Sequence, residues 1–159
     1  MRMRQVFGAG LVAAVVVLAV PAVSGASGGA RSGNERFTLV FTSETGPGSI
    51  FARGVFNAGG TDYQGKVDEA VFPDGTFKIF HSAIHTAVTF DATTCTGRLS
   101  GSGPYRLGNG YGAYAKIKGT GTARLKGSIA TGRKANGTCD FHDVSAFSLT
   151  VHARGPVSF

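Results

Sequence analysis

The stretch AKIKGTGTARLKGSI, Ala115 to Ile129, alternates without a break, and this constrains the fold more than any other feature of the chain. Odd positions hold Ala115, Ile117, Gly119, Gly121, Ala123, Leu125 and Ile129, while the even positions include Lys116, Lys118, Arg124 and Lys126. A period of two means a β-strand with one face turned inward and the other toward solvent. Fifteen residues at ~3.3 Å each would span about 50 Å, whereas a compact domain of this size is only ~35–40 Å across. The strand is therefore expected to bend or break, and Gly119-Thr120-Gly121 is the expected place. Glycines on the inward face let a sheet curve without side-chain collision, which is how barrels turn corners.

Other segments carry the same signal. RFTLVFT puts Phe37, Leu39 and Phe41 on one face, and SIFARGVF does so for Ile50, Ala52 and Phe56. KVDEAVFPDGTFKIF is two apolar runs around Pro73-Asp74-Gly75, strong hairpin chemistry. AIHTAVTF alternates Ile84, Thr86, Val88 and Phe90, and SAFSLTVHA alternates Phe147, Leu149 and Val151. No window past the N-terminal segment has a sustained 3.6-residue period. The expected class is all-β, an antiparallel β-barrel of about eight strands, with a β-sandwich as the alternative that the same alternation satisfies.

The N-terminus reads MRMRQVFGAGLVAAVVVLAVPAVSGASGGA: two arginines, an uncharged run from Phe7 to Val20, then Pro21 and small residues. That order is the layout of a secretory signal peptide, expected over residues 1–26. The apolar run falls short of the ~20 residues a spanning helix needs, so the cleaved chain is expected to be no integral membrane protein. Cleavage would remove Arg2 and Arg4 and no acid, lowering the formal net charge from +7 to +5. Residues 27–34 read as a flexible Gly/Ser leader, and 35–159 as a single domain. The expected location is secreted or extracytoplasmic. There the two cysteines, Cys95 and Cys139, are expected to bridge, stabilising by roughly 2–4 kcal/mol. Two free buried thiols are the alternative.

The run GPYRLGNGYGAYAKIKGTGTARLKG resembles a pattern of small exported actinobacterial proteins: an aromatic on a short strand, a G-x-G turn, a second aromatic, then G-x-G-T entering the next strand. It is similar to the allene oxide cyclase and dirigent-like families, with Tyr105, Gly108, Gly110, Tyr114, Gly119, Gly121 and Thr122 as the matching residues. The resemblance implies an eight-stranded antiparallel barrel with a central cavity. It carries over no catalytic group: from Gly97 to Cys139 there is no Asp or Glu.

Site chemistry is sparse, and no catalytic residue and no cofactor are assigned. A zinc site wants three or four ligands; His81 and His85 have no Cys or carboxylate close in sequence, and His142 with Asp140 and Asp143 could complete a site only if the C-terminal strand lay beside that turn, so no metal is expected. No G-x-S-x-G elbow occurs. The adjacent carboxylates Asp68 and Glu69 point to opposite faces of a strand, which is poor for shared acid–base work. Between Arg98 and Lys134 lie eight cations and no acid, so part of the domain carries a positive field. Lys116, Lys118, Arg124 and Lys126 read either as a solvated face or as a contact for an anionic envelope component. Nucleic acid is not expected, because no aromatics interleave that face. The reading is a non-catalytic binding or envelope-associated protein. The alternative is a cyclase- or isomerase-like enzyme acting on a lipophilic or phenolic molecule inside the barrel, which would need a cavity of several hundred Å3 with converging polar groups.

Overall fold

The computed structural model describes residues 30–81 and 84–159. The expected signal segment 1–26 and leader positions 27–29 lie outside the described residues.

Nine strands follow one another: β1 Ser32–Phe41, β2 Gly48–Arg53, β3 Asn57–Tyr63, β4 Asp68–Phe72, β5 Gly75–Phe80, β6 His85–Asp91, β7 Thr96–Gly112, β8 Lys118–Arg133 and β9 Cys139–Ser158. No helix occurs among the described residues. All pairings are antiparallel, in the order β5-β4-β3-β2-β1-β9-β8-β7-β6, and β5 also pairs with β7. That last seam closes eight strands into a barrel and leaves β6 as an extra strand on β7. The barrel expectation holds over the sandwich because a sandwich has no such closing pair. β1 begins at Ser32, so Ser32–Asn34, expected in the leader, are strand residues paired with Pro156–Ser158 of β9.

Alternation dictates the inside. Phe37, Leu39 and Phe41 of β1, Ile50 and Ala52 of β2, Ala70 and Phe72 of β4 and Phe77 and Ile79 of β5 are all buried. Tyr105, Leu107, Ala123, Ala153 and Val157 complete the wall. One end is plugged by aromatic rings. Phe56 packs against Phe72, Tyr114 and Phe159 with centroids 4.9–5.6 Å apart, and Phe77 joins Tyr114 at 5.6 Å. The tight β4–β5 turn at Pro73-Asp74 delivers Phe72 and Phe77 to this plug, with Gly75 at φ +152°.

The long basic strand solves its length problem differently from the expected bend. The break comes earlier, in the turn through Ala113–Lys116, where Ala115 N donates to Gly112 O and Ile117 N to Tyr114 O. From Lys118 the strand then runs for 16 residues. It fits because β7, β8 and β9 overshoot the barrel: β1 ends its pairing with β9 at Phe41 opposite Leu149, while β8 and β9 go on pairing to Arg133 opposite Cys139. With β6 they form a four-stranded flap beyond the barrel mouth. Gly121 serves close approach rather than a bulge. A Cβ there would come within 2.7 Å of Tyr105 Cε1 and collide with the Arg154 carbonyl, so β8 and β9 touch backbone to backbone. At the far tip of the flap Cys95 and Cys139 are disulfide-bonded, with Cα atoms 5.4 Å apart.

Candidate functional site

Opposite the aromatic plug the barrel interior is not filled. A cavity of about 170 Å3 lies among Phe37, Leu39, Phe41, Ile79, Leu107, Ala123, Leu125, Leu149, Val151 and Ala153. Two features of the sequence leave it open. Small residues, Ala123 and Ala153, face each other across β8 and β9, and the bulky Phe56, Phe72 and Tyr114 are committed to the plug. The polar lining consists of Gln64, Asp68 and His81 toward the mouth and Tyr105 deeper down.

The β3–β4 hairpin positions the acids. Its register sets Asp62 opposite Ala70, and Asp68 lies two residues before Ala70 on the same inward face. Asp68 Oδ1 is 3.0 Å from His81 Nε2, at ion-pair distance but without hydrogen-bond alignment. Asp62 is fully buried and neither carboxylate oxygen has a hydrogen-bond partner. Burial pushes its pKa from 3.8 up to about 7; the negative charge of Asp68 adds to the rise, and His81 opposes it. The Tyr105 hydroxyl is likewise buried and unpartnered. Its pKa is pushed up to about 12 by burial and then by Glu35. Glu35 itself is accounted for: its carboxylate accepts from the Arg36 and Phe56 amides at 3.1 and 3.0 Å, tying β1 to the β2–β3 turn.

Sequence reasoning missed the Asp62–Asp68 pair. Asp68 and Glu69 do diverge as expected, with Glu69 outside and ion-paired to Lys78 at 3.1 Å. The acid that joins Asp68 is six positions earlier, across a hairpin around Gln64-Gly65. The signal was available in the shared parity of Asp62, Asp68 and Ala70 once a turn at Gly65 is allowed.

The other histidines stay apart: His85 and His142 are exposed, and His152 Nδ1 is 3.3 Å from Thr38 Oγ1. No group of three His, Cys, Asp or Glu side chains able to hold a metal occurs among the described residues.

The cations lie outside. Lys118, Arg124 and Lys126 share the exposed face of β8, but Lys116 sits in the turn ahead of it, so the four do not form a single strand face. The outer face instead gains residues from its neighbours. Arg36 of β1 lies directly opposite Arg53 of β2 on one side and Arg154 of β9 on the other, and Arg124 lies opposite His152. None of these arginines has an acidic partner among the described residues. A groove of about 330 Å3 runs between Arg36, Thr38, Thr122, Arg124, His152 and Arg154. Arg106 is occupied otherwise, its guanidinium 3.9 Å over the Phe80 ring. No helix among the described residues is long and apolar enough to cross a membrane. Comparison with protein-family models, with curated proteins and with solved structures gives no match for this chain.

Proposed function

We propose that this protein is an exported binding protein whose barrel holds one compact lipophilic molecule. The observation that carries the reading is the cavity of about 170 Å3, walled by Phe, Leu, Ile, Val and Ala, closed at one end by aromatic rings and polar toward the other. An apolar cavity of about 150 Å3 accommodates a benzene ring, so a ring of that size with a short substituent fits. The volume is below the ~300–1,000 Å3 of sites for drug-sized ligands, which favours retention of a small molecule over the folding of a long reactive intermediate. The disulfide is compatible with an oxidising compartment.

Ethylbenzene tests this reading directly. A ligand that binds only the native state raises the melting temperature in proportion to ln(1 + [L]/Kd). The protein is expected to be stabilised by excess ethylbenzene, and Ala123→Phe, which fills the cavity, is expected to lose that response. Absence of any shift in the original protein, or an equal shift in the filled variant, would overturn the reading.

A second reading rests on the row Arg53–Arg36–Arg154 beside Arg124. Like charges directly opposite one another destabilise a sheet, and an anionic envelope polymer or lipid surface would offset that repulsion. Reversing Arg36, Arg124 and Arg154 to Glu should abolish retention on phosphatidylglycerol vesicles with the fold intact. Retention by the original protein should weaken with salt, since screening limits surface charge to ~8 Å at physiological ionic strength. Unchanged retention in the reversed variant would remove this second role.

A further inference from the structure

Charge in this barrel is sorted by sign. Every described Lys and Arg side chain is exposed except the half-buried Lys78, which is paired outside with Glu69. Apart from the tyrosines, the ionisable groups turned inward among the described residues are Glu35, Asp62 and Asp68, with His81 and, for Asp68, the Gly65 amide at 2.9 Å to set against them. Glu35 is satisfied by two backbone amides. Asp62 is not satisfied at all, although it is fully buried. Buried polar groups in folded proteins are nearly always hydrogen-bonded, and an exception calls for a partner. The β3–β4 register sets Asp62 on the same inward face as Asp68. Burial raises the Asp62 pKa and the negative charge of Asp68 adds to the rise, and Asp68 and His81 both line the mouth of the apolar cavity. Deeper in the same cavity the Tyr105 hydroxyl also has no partner.

We propose that the cavity selects a small lipophilic amine, with the ring seated among Phe37, Leu39 and Leu107 and the ammonium at the mouth between Asp68 and the carboxylate of Asp62 behind it. The inference rests on the cavity reading above and adds the sign of the ligand's charge. A cation is the ligand charge that an inward-facing pair of carboxylates favours, because it supplies donors to acceptor-only groups and offsets their mutual repulsion. An anion would meet two like charges there. A neutral alcohol could satisfy one acceptor and would leave the charge uncompensated. The ammonium also suits the volume: the ring fills the cavity and a two-carbon linker reaches the polar mouth. Tyr105 then faces the ring from the far side, where a ring hydroxyl or carbonyl on a natural ligand would find a hydrogen-bond partner.

Three isosteric probes decide the matter: phenethylamine, 2-phenylethanol and phenylacetate, titrated calorimetrically into the purified, disulfide-intact protein at pH 7.5. Phenethylamine is expected to bind at least about tenfold more tightly than 2-phenylethanol, with phenylacetate weakest. Asp68→Asn and Asp62→Asn should each lower phenethylamine affinity and leave 2-phenylethanol little changed, since neither substitution alters the apolar wall. Ala123→Phe should abolish binding of all three, which would place the probes inside the barrel. Equal affinity for amine and alcohol, a preference for phenylacetate, or amine selectivity that survives both Asn variants would overturn the inference while leaving the cavity reading intact. No binding of any probe, together with no response to ethylbenzene, would overturn both.

Discussion

Asp62 is the residue at which folding and solvation conflict. Its hairpin register turns it inward beside Asp68 and His81, and no amide or hydroxyl meets its oxygens. An acid whose folded pKa is raised binds more protons in the native than in the unfolded state between the two values, so stability falls as pH rises through that window. For Asp62 the window runs from 3.8 to about 7. Each unit corresponds to about 1.4 kcal/mol, which sets the effect at a few kcal/mol at most. The melting temperature of the free protein is therefore expected to drop between pH 5 and pH 8, and that of Asp62→Asn to stay nearly level. Parallel profiles would show that the carboxyl has a partner in solution. Along the chain only the shared parity of Asp62, Asp68 and Ala70 hinted at this. An isolated Asp in TDYQG looks like a surface turn residue, and only pairing of β3 with β4 reveals which way it points. Parity separates Asp68 from Glu69 without saying which of the two faces inward, and the acid that shares the face of Asp68 lies across the turn rather than next to it in sequence.

At the level of elements, the flap formed by β6 and the outer halves of β7, β8 and β9 is the part least supported by the core. Its inward-parity face continues the barrel wall through Leu125, Ile129, Phe147 and Leu149, yet Val88 and Phe141 on it are 60 % and 64 % exposed. Phe90 and Phe141 pack on each other at 4.8 Å in place of a covering layer. Both sides of this sheet are free edges, one being β6, and the bridge between Cys95 and Cys139 pins the tip. In the chain-entropy account a cross-link 44 residues apart stabilises by about 4 kcal/mol. Replacing both cysteines by serine should thus raise hydrogen exchange most steeply in β6 and in Ser128–Arg133 of β8, with Phe37–Phe41 and Ile50–Ala52 protected nearly as before. Uniform loss of protection would mean that the bridge holds the barrel and not the flap. The sequence carried the strands and the bridge itself, because alternation and a lone cysteine pair are local signals. It did not carry the flap. AIHTAVTF alternates as cleanly as any barrel strand, and only the competition of β5 and β6 for the same edge of β7 decides which of them closes the barrel.

For the molecule as a whole, closure was legible while content was not. Alternation along the strands and glycines on an inward face argue for a curved wall, and a barrel is observed, but the length argument failed because β7 to β9 overshoot the barrel instead of bending. Whether its interior is packed or hollow depends on how many large side chains the plug consumes, and that is a three-dimensional sum over Phe56, Phe72, Phe77, Tyr114 and Phe159 which no single segment reveals. The arrangement of the wall also has a kinetic side. Every barrel strand pairs with a sequence neighbour except at two seams, β5 with β7 and β1 with β9. The second joins residues more than 100 positions apart, from Phe41 opposite Leu149 to Ser32 opposite Ser158. Contacts of such separation form late and slow folding, because loop-closure entropy must be met before they can contribute. A folding chain can zip β1 to β5 as a meander, but that sheet keeps an open edge and an uncovered apolar face until β9 arrives. The barrel is thus a latch set by β9: the sheet of β1 to β5 stays unclosed until β9 takes its place between β8 and β1.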